Sequence, residues 1–178
     1  MMPQRFHSEG MTLIEVTIVV AIVGIMVAVG VPAFDNWMKT ERVKSGARDL
    51  ALGLQRAKSL AVRRGHNVII AFNSPANDNY QIVDDPNNNC VAEGGEVVLY
   101  SASLPPGVDM PAASITFSNS NAAFDSRGLP LGDAAGVCIP FGTGGGAGAG
   151  TITVQMTGHN AQYQVSMSLA GGVSVVRQ

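Results

Sequence analysis

The sequence predicts an α+β chain, one long N-terminal helix packed on an antiparallel β-sheet or sandwich head, from three observations. Residues Val16 to Phe34 form an apolar run without a single charge. From Phe34 to about Arg64 apolar residues recur at spacings of three and four. From His66 onward the apolar period becomes two, in short runs separated by turn residues. Buried helix faces and buried strand faces impose those two periods. At 178 residues there is room for one modest head beside the apolar segment.

The chain opens with ten hydrophilic residues that end at Gly10. The uncharged run that follows can cross a bilayer as a helix, since about 20 residues at 1.5 Å rise span a hydrocarbon core of roughly 30 Å. Glu15, just inside the run, is the anomaly. An acidic residue at the centre of a membrane helix costs roughly 2.5 to 3.5 kcal/mol, so an intramembrane carboxylate is a functional residue by default. No Lys or Arg lies between Arg5 and Lys39 to pair with it along the same helix. If the chain is cut after Gly10, Met11 carries a free α-amine, and a neighbouring copy offset along its axis brings that amine to Glu15. Their attraction at about 4 Å is worth roughly 4 kcal/mol at an effective dielectric of 20, comparable to the insertion cost.

Two plainer readings compete for this segment. A secretory signal peptide would be cut near Ala28-Val29-Gly30 or Val31-Pro32-Ala33, but the leader is weakly basic and Glu9 and Glu15 are out of place in one. An uncleaved membrane anchor is the other. Basic residues also fall unevenly, with Arg5 before the span and Lys39, Arg42, Lys44 and Arg48 after it. Taken alone, that bias puts the C-terminal part in the cytoplasm. The two cysteines, Cys90 and Cys138, point to export instead.

The helix is expected from Met11 to about Arg64, with Pro32 inside it. In its second half Phe34, Trp37, Met38, Val43, Ala47, Leu50, Ala51, Leu54, Ala57 and Ala61 form an apolar face, with Lys39, Arg42, Arg48, Arg56 and Arg63 between them. Gly65 suits a C-cap, and Arg63 and Arg64 stand where cations favour the helix dipole. The expected organisation is a leader at 1–10, a transmembrane and assembly helix at 11–34, an amphipathic half at 35–64 and a β-rich head at 65–178. Strands are expected at His66 to Asn73, Tyr80 to Asp84, Glu96 to Ala102, Ser114 to Ser118, Val137 to Phe141, Thr151 to Met156, Gln162 to Leu169 and Val173 to Val176.

Charge divides the same way. Eight of the eleven Lys and Arg lie between Lys39 and Arg64 against Glu41 and Asp49, whereas from Gly65 on there are two basic and eight acidic residues. Stem and head are therefore about +6 and −6. A nucleic-acid-binding head would be basic, and this one is acidic. Cys90 and Cys138 are compatible with one disulfide in an exported domain, closing a loop worth roughly 4 kcal/mol of chain entropy. Two buried free thiols are the alternative.

No catalytic or metal pattern emerges. His7, His66 and His159 lack partners at metal-ligand spacing, and neither His-Glu-x-x-His nor Cys-x-x-Cys occurs. The run from Gly142 to Gly150 lacks the Lys-Ser/Thr of a phosphate loop and reads as a strand connector. Asp84, Asp85 and the acids up to Glu96 offer oxygen ligands for Ca²⁺ without an EF-hand pattern, and read as a solvated loop. No cofactor, metal or enzymatic activity is expected.

Gly10, a hydrophobic Met11 and Glu15 five residues after the cut resemble the class 3 signal of type IV pilins and type II secretion pseudopilins. Met11 departs mildly from the usual Phe. Pro32 matches the family's helix proline. One long helix followed only by strands, with Phe124-Asp125-Ser126-Arg127-Gly128 similar to a Phe-x-x-x-Gly region, resembles the minor-pilin branch known as the GspH/FimT family. The resemblance implies cleavage after Gly10 and N-methylation of Met11 by prepilin peptidase. It further implies a single pass through the bacterial inner membrane with a periplasmic head, contact with inner-membrane lipid and an assembly platform, and polymerisation with other pilins through Glu15 and the Pro32 helix. A minor subunit of a pilus or pseudopilus, in an initiating or tip complex, is the implied role. A DNA-uptake minor pilin is the alternative, although the C-terminal Gly171-Gly172-Val173-Ser174-Val175-Val176-Arg177 lacks most of the arginines such binders carry.

Overall fold

The computed structural model describes residues 11–73, 76–117, 120–134, 137–140 and 150–178. Its first element, α1, is a single helix over Leu13–Arg64. Thr12 caps it: the Glu15 N–H donates to Thr12 Oγ1 at 3.3 Å and the Val16 N–H to the Thr12 carbonyl at 3.2 Å. At the far end Gly65 adopts φ 75° and donates to the Ala61 carbonyl at 3.0 Å, the left-handed cap that a glycine accepts without strain.

The chain forms two compact units, Met1–Met38 and Lys39–Gln178. In the first, an 18-residue window of α1 has mean hydropathy 2.7 and none of it is buried, which by length and composition suffices to cross a membrane. In the second, α1 buries Val43, Gly46, Ala47, Leu50, Ala51, Gly53, Leu54, Ala57 and Ala61. Phe34 and Trp37 do not join this face as the periodicity predicts. They belong to the first unit and remain exposed, their rings 5.7 Å apart, and Met38 is that unit's last residue. Apolar residues continue at spacings of three and four across the boundary at Met38, so the spacing does not reveal where the head's seam begins.

Nine strands follow: β1 Val68–Phe72, β2 Asn79–Asp84, β3 Val98–Ser103, β4 Asn121–Phe124, β5 Pro130–Ala134, β6 Val137–Pro140, β7 Thr151–Gln155, β8 Gln162–Met167 and β9 Val173–Arg177. They build a six-stranded sheet in the order β3-β2-β1-β4-β5-β6 and a three-stranded sheet in the order β7-β8-β9, with every pairing antiparallel. One core joins the buried face of α1 to Val68, Ile70, Phe72, Tyr80, Ile82, Ala122 and Phe124 of the large sheet and to Ile152, Val154, Val165 and Met167 of the small one. Close approach of helix and sheet depends on Gly53, where a Cβ would lie 2.7 Å from the Tyr80 ring. The other side of the large sheet has its own cluster of Ile69, Cys90, Ala123 and Leu131.

Sequence periodicity misplaced three strands. The run expected as a strand from Ser114 to Ser118 is instead a 3₁₀ turn at Ala112–Ser114 followed by residues that lean on β7. There the Thr116 N–H donates to the Thr151 carbonyl at 3.0 Å, and the Thr151 N–H to Thr116 Oγ1 at 2.7 Å. Ser118, Phe141 and the run Gly142 to Ala149 lie outside the described residues. Strands β4 and β5 were not expected, because Asn-Ala-Ala-Phe and Pro-Leu-Gly-Asp-Ala hold no β-branched residue. Ala122 and Ala123 point to opposite faces and both are buried, so β4 is specified by small size between two clusters rather than by propensity.

Candidate functional site

The N-terminal segment presents Met11 and Glu15 at the start of α1, both exposed; Gly10 lies outside the described residues. Thr12 and Glu15 stand in the Thr-x-x-Glu spacing of a capping box, and the Thr12 half of it is formed. The bond uses the Glu15 backbone N–H, so it is the Thr12 side chain that caps α1, and the Thr-x-x-Glu spacing was readable in the sequence. Pro32 lies within α1, where it supplies no N–H to the turn before it.

Phe124 to Gly128 forms the β4–β5 turn, and its geometry explains the residue spacing. Phe124 is fully buried in the core. The Asp125 carboxylate accepts from the N–H groups of Arg127 at 2.9 Å and Leu129 at 2.8 Å, and meets the Arg127 guanidinium at 2.8 Å. Burial pushes its pKa up, but those backbone donors and Arg127 outweigh burial and hold it below the usual aspartate value. Gly128, at φ 76°, faces Val62 and Lys58 of α1, where a Cβ would come within 3.1 Å of Val62. Lys58 Nζ donates in turn to the Gly171 carbonyl at 3.3 Å, so the β8–β9 turn meets the same place.

Cys90 and Cys138 are bonded, with Cα atoms 5.3 Å apart, which settles the choice between a disulfide and two thiols. Asp85 organises the approach. It is fully buried, unlike the solvated loop residue expected, and accepts from the N–H groups of Asn89 and Cys90, each at 3.1 Å. With Cys90 held at φ 59°, these bonds fold the chain sharply toward β6. Asp85 and the two sulfurs converge, but bonded sulfurs offer no thiolate to a metal. Asp84 is likewise structural, meeting Arg64 at 3.0 Å and His66 at 3.4 Å. His159 Nε2 and Thr40 Oγ1 share a hydrogen bond of 2.9 Å.

The charged surfaces separate cleanly. On α1, Arg42, Arg48, Arg56 and Arg63 are exposed, with Arg48 only 4.0 Å from Glu41 and Arg56 stacked 4.0 Å over the Tyr100 ring. On the large sheet a cavity of about 230 Å³ is lined by Gln81, Val83, Val98, Glu93 and Glu96 among others. Burial raises the Glu96 pKa, the charges of Asp85, Glu93 and Asp84 add to it, and the Glu93 N–H partly offsets both.

A family model described as type II transport protein GspH matches residues 46–171. The chain belongs to the GspH family. No curated protein matches it in sequence. Among solved structures, the type IV minor pilin FimU of Pseudomonas aeruginosa aligns with TM-score 0.56 and 16% identity, covering 79% of this chain and 92% of that one. A second crystal form of FimU gives 0.52 and 17%, over 75% and 91%. The minor pseudopilin EpsH of the type 2 secretion system of Vibrio cholerae gives 0.51 and 11%, over 76% and 96%. At these identities the structures establish a shared fold, a helix packed on antiparallel sheets. Together with the family match they make this GspH-family chain a pilin-like structural subunit rather than an enzyme, and assembly with other pilins follows from that family.

Proposed function

We propose that this GspH-family chain is a minor pilin or pseudopilin, cut after Gly10 and N-methylated at Met11 by prepilin peptidase, then drawn from the inner membrane into a filament. In this reading α1 crosses the membrane once, the head stands in the periplasm, and an inner-membrane platform passes the subunit to its neighbours in an initiating or tip complex. The observation that carries it is a carboxylate, Glu15, in the first turn of α1, directly ahead of nineteen residues without charge in a helix that leads into a GspH head. An unpaired carboxylate in hydrocarbon is unfavourable, and the new Met11 amine of an adjacent subunit neutralises it. Pro32 supports the same reading, because a helix missing one backbone hydrogen bond is easier to open locally on entering a filament. A DNA-uptake role draws no support from β9, whose sole cation is Arg177.

Intact mass and N-terminal sequencing of chain recovered from membranes tests the processing: a start at methylated Met11 is expected, and a start near Val31 or an intact Met1 overturns it. Two substitutions separate capping from pairing. Glu15→Gln keeps a capping-box side chain but removes the charge, so it should be processed normally and yet fail to enter filaments, as should Glu15→Ala. Normal incorporation of Glu15→Gln would show that the Glu15 charge is not what drives assembly.

A further inference from the structure

We propose that Cys138 is the reactive cysteine of this head: it takes up an external disulfide first, Asp85 accepts its thiol proton, and Cys90 then displaces the adduct to close the bridge. This chemistry belongs to the head alone and holds whichever filament the chain enters.

The two sulfurs stand in different surroundings. Cys90 is 2% exposed, in the cluster of Ile69, Ala123 and Leu131. Cys138 lies on β6, an edge strand of the large sheet, and is only half-buried, so a reagent from outside meets its sulfur first. Two polar groups flank that sulfur. Asp85 Oδ2 is 3.7 Å from Cys138 Sγ, and Asn67 Nδ2 is 3.5 Å from it. The bonded sulfur has no proton to give, but the thiol has one, and the carboxylate stands where it can accept it. The Asn67 amide donates to the same sulfur and so favours the negative charge of a thiolate. A nucleophile, a base within reach of it and a donor for the developing charge are what an activated thiol requires.

Backbone pairing fixes both groups. Val68 pairs with Asp84, which brings the start of β1 beside the end of β2, and the Asp85 N–H donates to the Asn67 carbonyl at 3.1 Å. The Asp85 carboxylate is fully buried and pinned by the N–H groups of Asn89 and Cys90. Its bond to the Cys90 N–H also keeps the second cysteine at hand.

In the first step Cys138 Sγ bonds to one sulfur of the external disulfide as its proton passes to Asp85 Oδ2. The external sulfur–sulfur bond breaks, and the departing half leaves as a thiolate that is protonated in turn, so Asp85 is restored. Cys90 Sγ then attacks Cys138 Sγ, forming the bridge and releasing the second half as a thiol that carries off the Cys90 proton. The two cysteines lose two electrons and the external disulfide becomes two thiols. Opening runs the other way, with an incoming thiolate bonding to Cys138 and Cys90 set free.

The test uses the full chain in neutral detergent micelles. Brief exposure of the oxidised chain to glutathione, an acid quench and peptide mass mapping should find glutathione on Cys138 and a free thiol at Cys90; the reverse pattern overturns the proposal. The proton acceptor is read from pH. The chain is reduced with a neutral phosphine and reclosed with limiting oxidised glutathione, so that the first capture sets the rate. A base beside the thiol keeps that rate level, within about threefold, over roughly pH 6 to 8, below the ordinary thiol range. In Asp85→Asn it should rise about tenfold per pH unit and fall at least about tenfold behind wild type at pH 6. The other titratable groups near this place are Glu93 and Glu96, the latter repelled by Asp85, then Asp84 with its partners Arg64 and His66, and Asp133 opposite Cys138 in the β5–β6 register. Glu96→Gln and His66→Gln should therefore keep the level profile, and its loss in either would move the acceptor away from Asp85 and overturn the assignment. An Asp85→Asn chain slowed by one factor at every pH would make Asp85 a support of the loop only. A wild-type rate that itself climbs tenfold per unit also overturns the proposal, whether or not Asp85→Asn folds.

Discussion

Between Leu13 and Met38, α1 exposes Ile18, Val19, Val20 and Ile22 all round its circumference, whereas between Val43 and Ala61 it confines apolar residues to one side and puts arginine on the other. The same backbone conformation serves both. From Val16 to Phe34 the first part carries no charge on any side, which fits a helix whose surroundings are lipid and other helices. The second part buries alanine, glycine and leucine against strands, so its stability is that of a soluble core. Side-chain loss should therefore matter to the head in one part and not in the other.

The largest contrast is expected from equal truncations. Leu54 is fully buried, and Leu54→Ala should lower head stability by about 2 to 5 kcal/mol, while Ile22→Ala should leave it unchanged. Urea unfolding in micelles, followed by near-UV circular dichroism, measures both; an equal loss from the two would erase the distinction. Next, Cys90→Ser/Cys138→Ser should cost about 4 kcal/mol through the freed loop, without altering membrane recovery of the chain. A smaller effect is expected at Asp125, where Asp125→Ala removes charge-assisted bonds and should cost about 1 to 2 kcal/mol at neutral pH. The folded-state pKa of Asp125 is lowered, so its contribution is full above the ordinary aspartate range and fades as pH falls through the lowered value. The gap between wild type and variant should narrow in acid; a gap constant from neutral pH to strong acid would mean that the carboxylate charge is not what holds the turn.

Much of this was legible in residue order. Two periods, 3.6 and 2, located α1 and most strands, and Gly65 stopped the helix where a left-handed residue was needed. The motif at Phe124 to Gly128 was visible as a pattern, but its cause was not: Gly128 is small because Val62 and Lys58 are there, a fact of packing across 66 residues of chain from Val62. Asp85 was misread for the same reason. An acid among asparagines looks solvated, and only the fold shows it buried under its own loop, accepting from Asn89 and Cys90. Strand β4 escaped because alanines in a strand signal crowding on both faces, which a propensity scale does not register.

The bond between Cys90 and Cys138 has a mechanical consequence. Were the head pulled along its chain, the covalent bridge would carry the tension across the 48-residue separation. Strands β3, β4 and β5 lie inside the bridged stretch, so stretching cannot unravel them end to end even when their hydrogen bonds fail. At roughly 3.5 Å per extended residue, about 170 Å of slack is withheld. A pulled head would therefore keep β3, β4 and β5 out of its extended length.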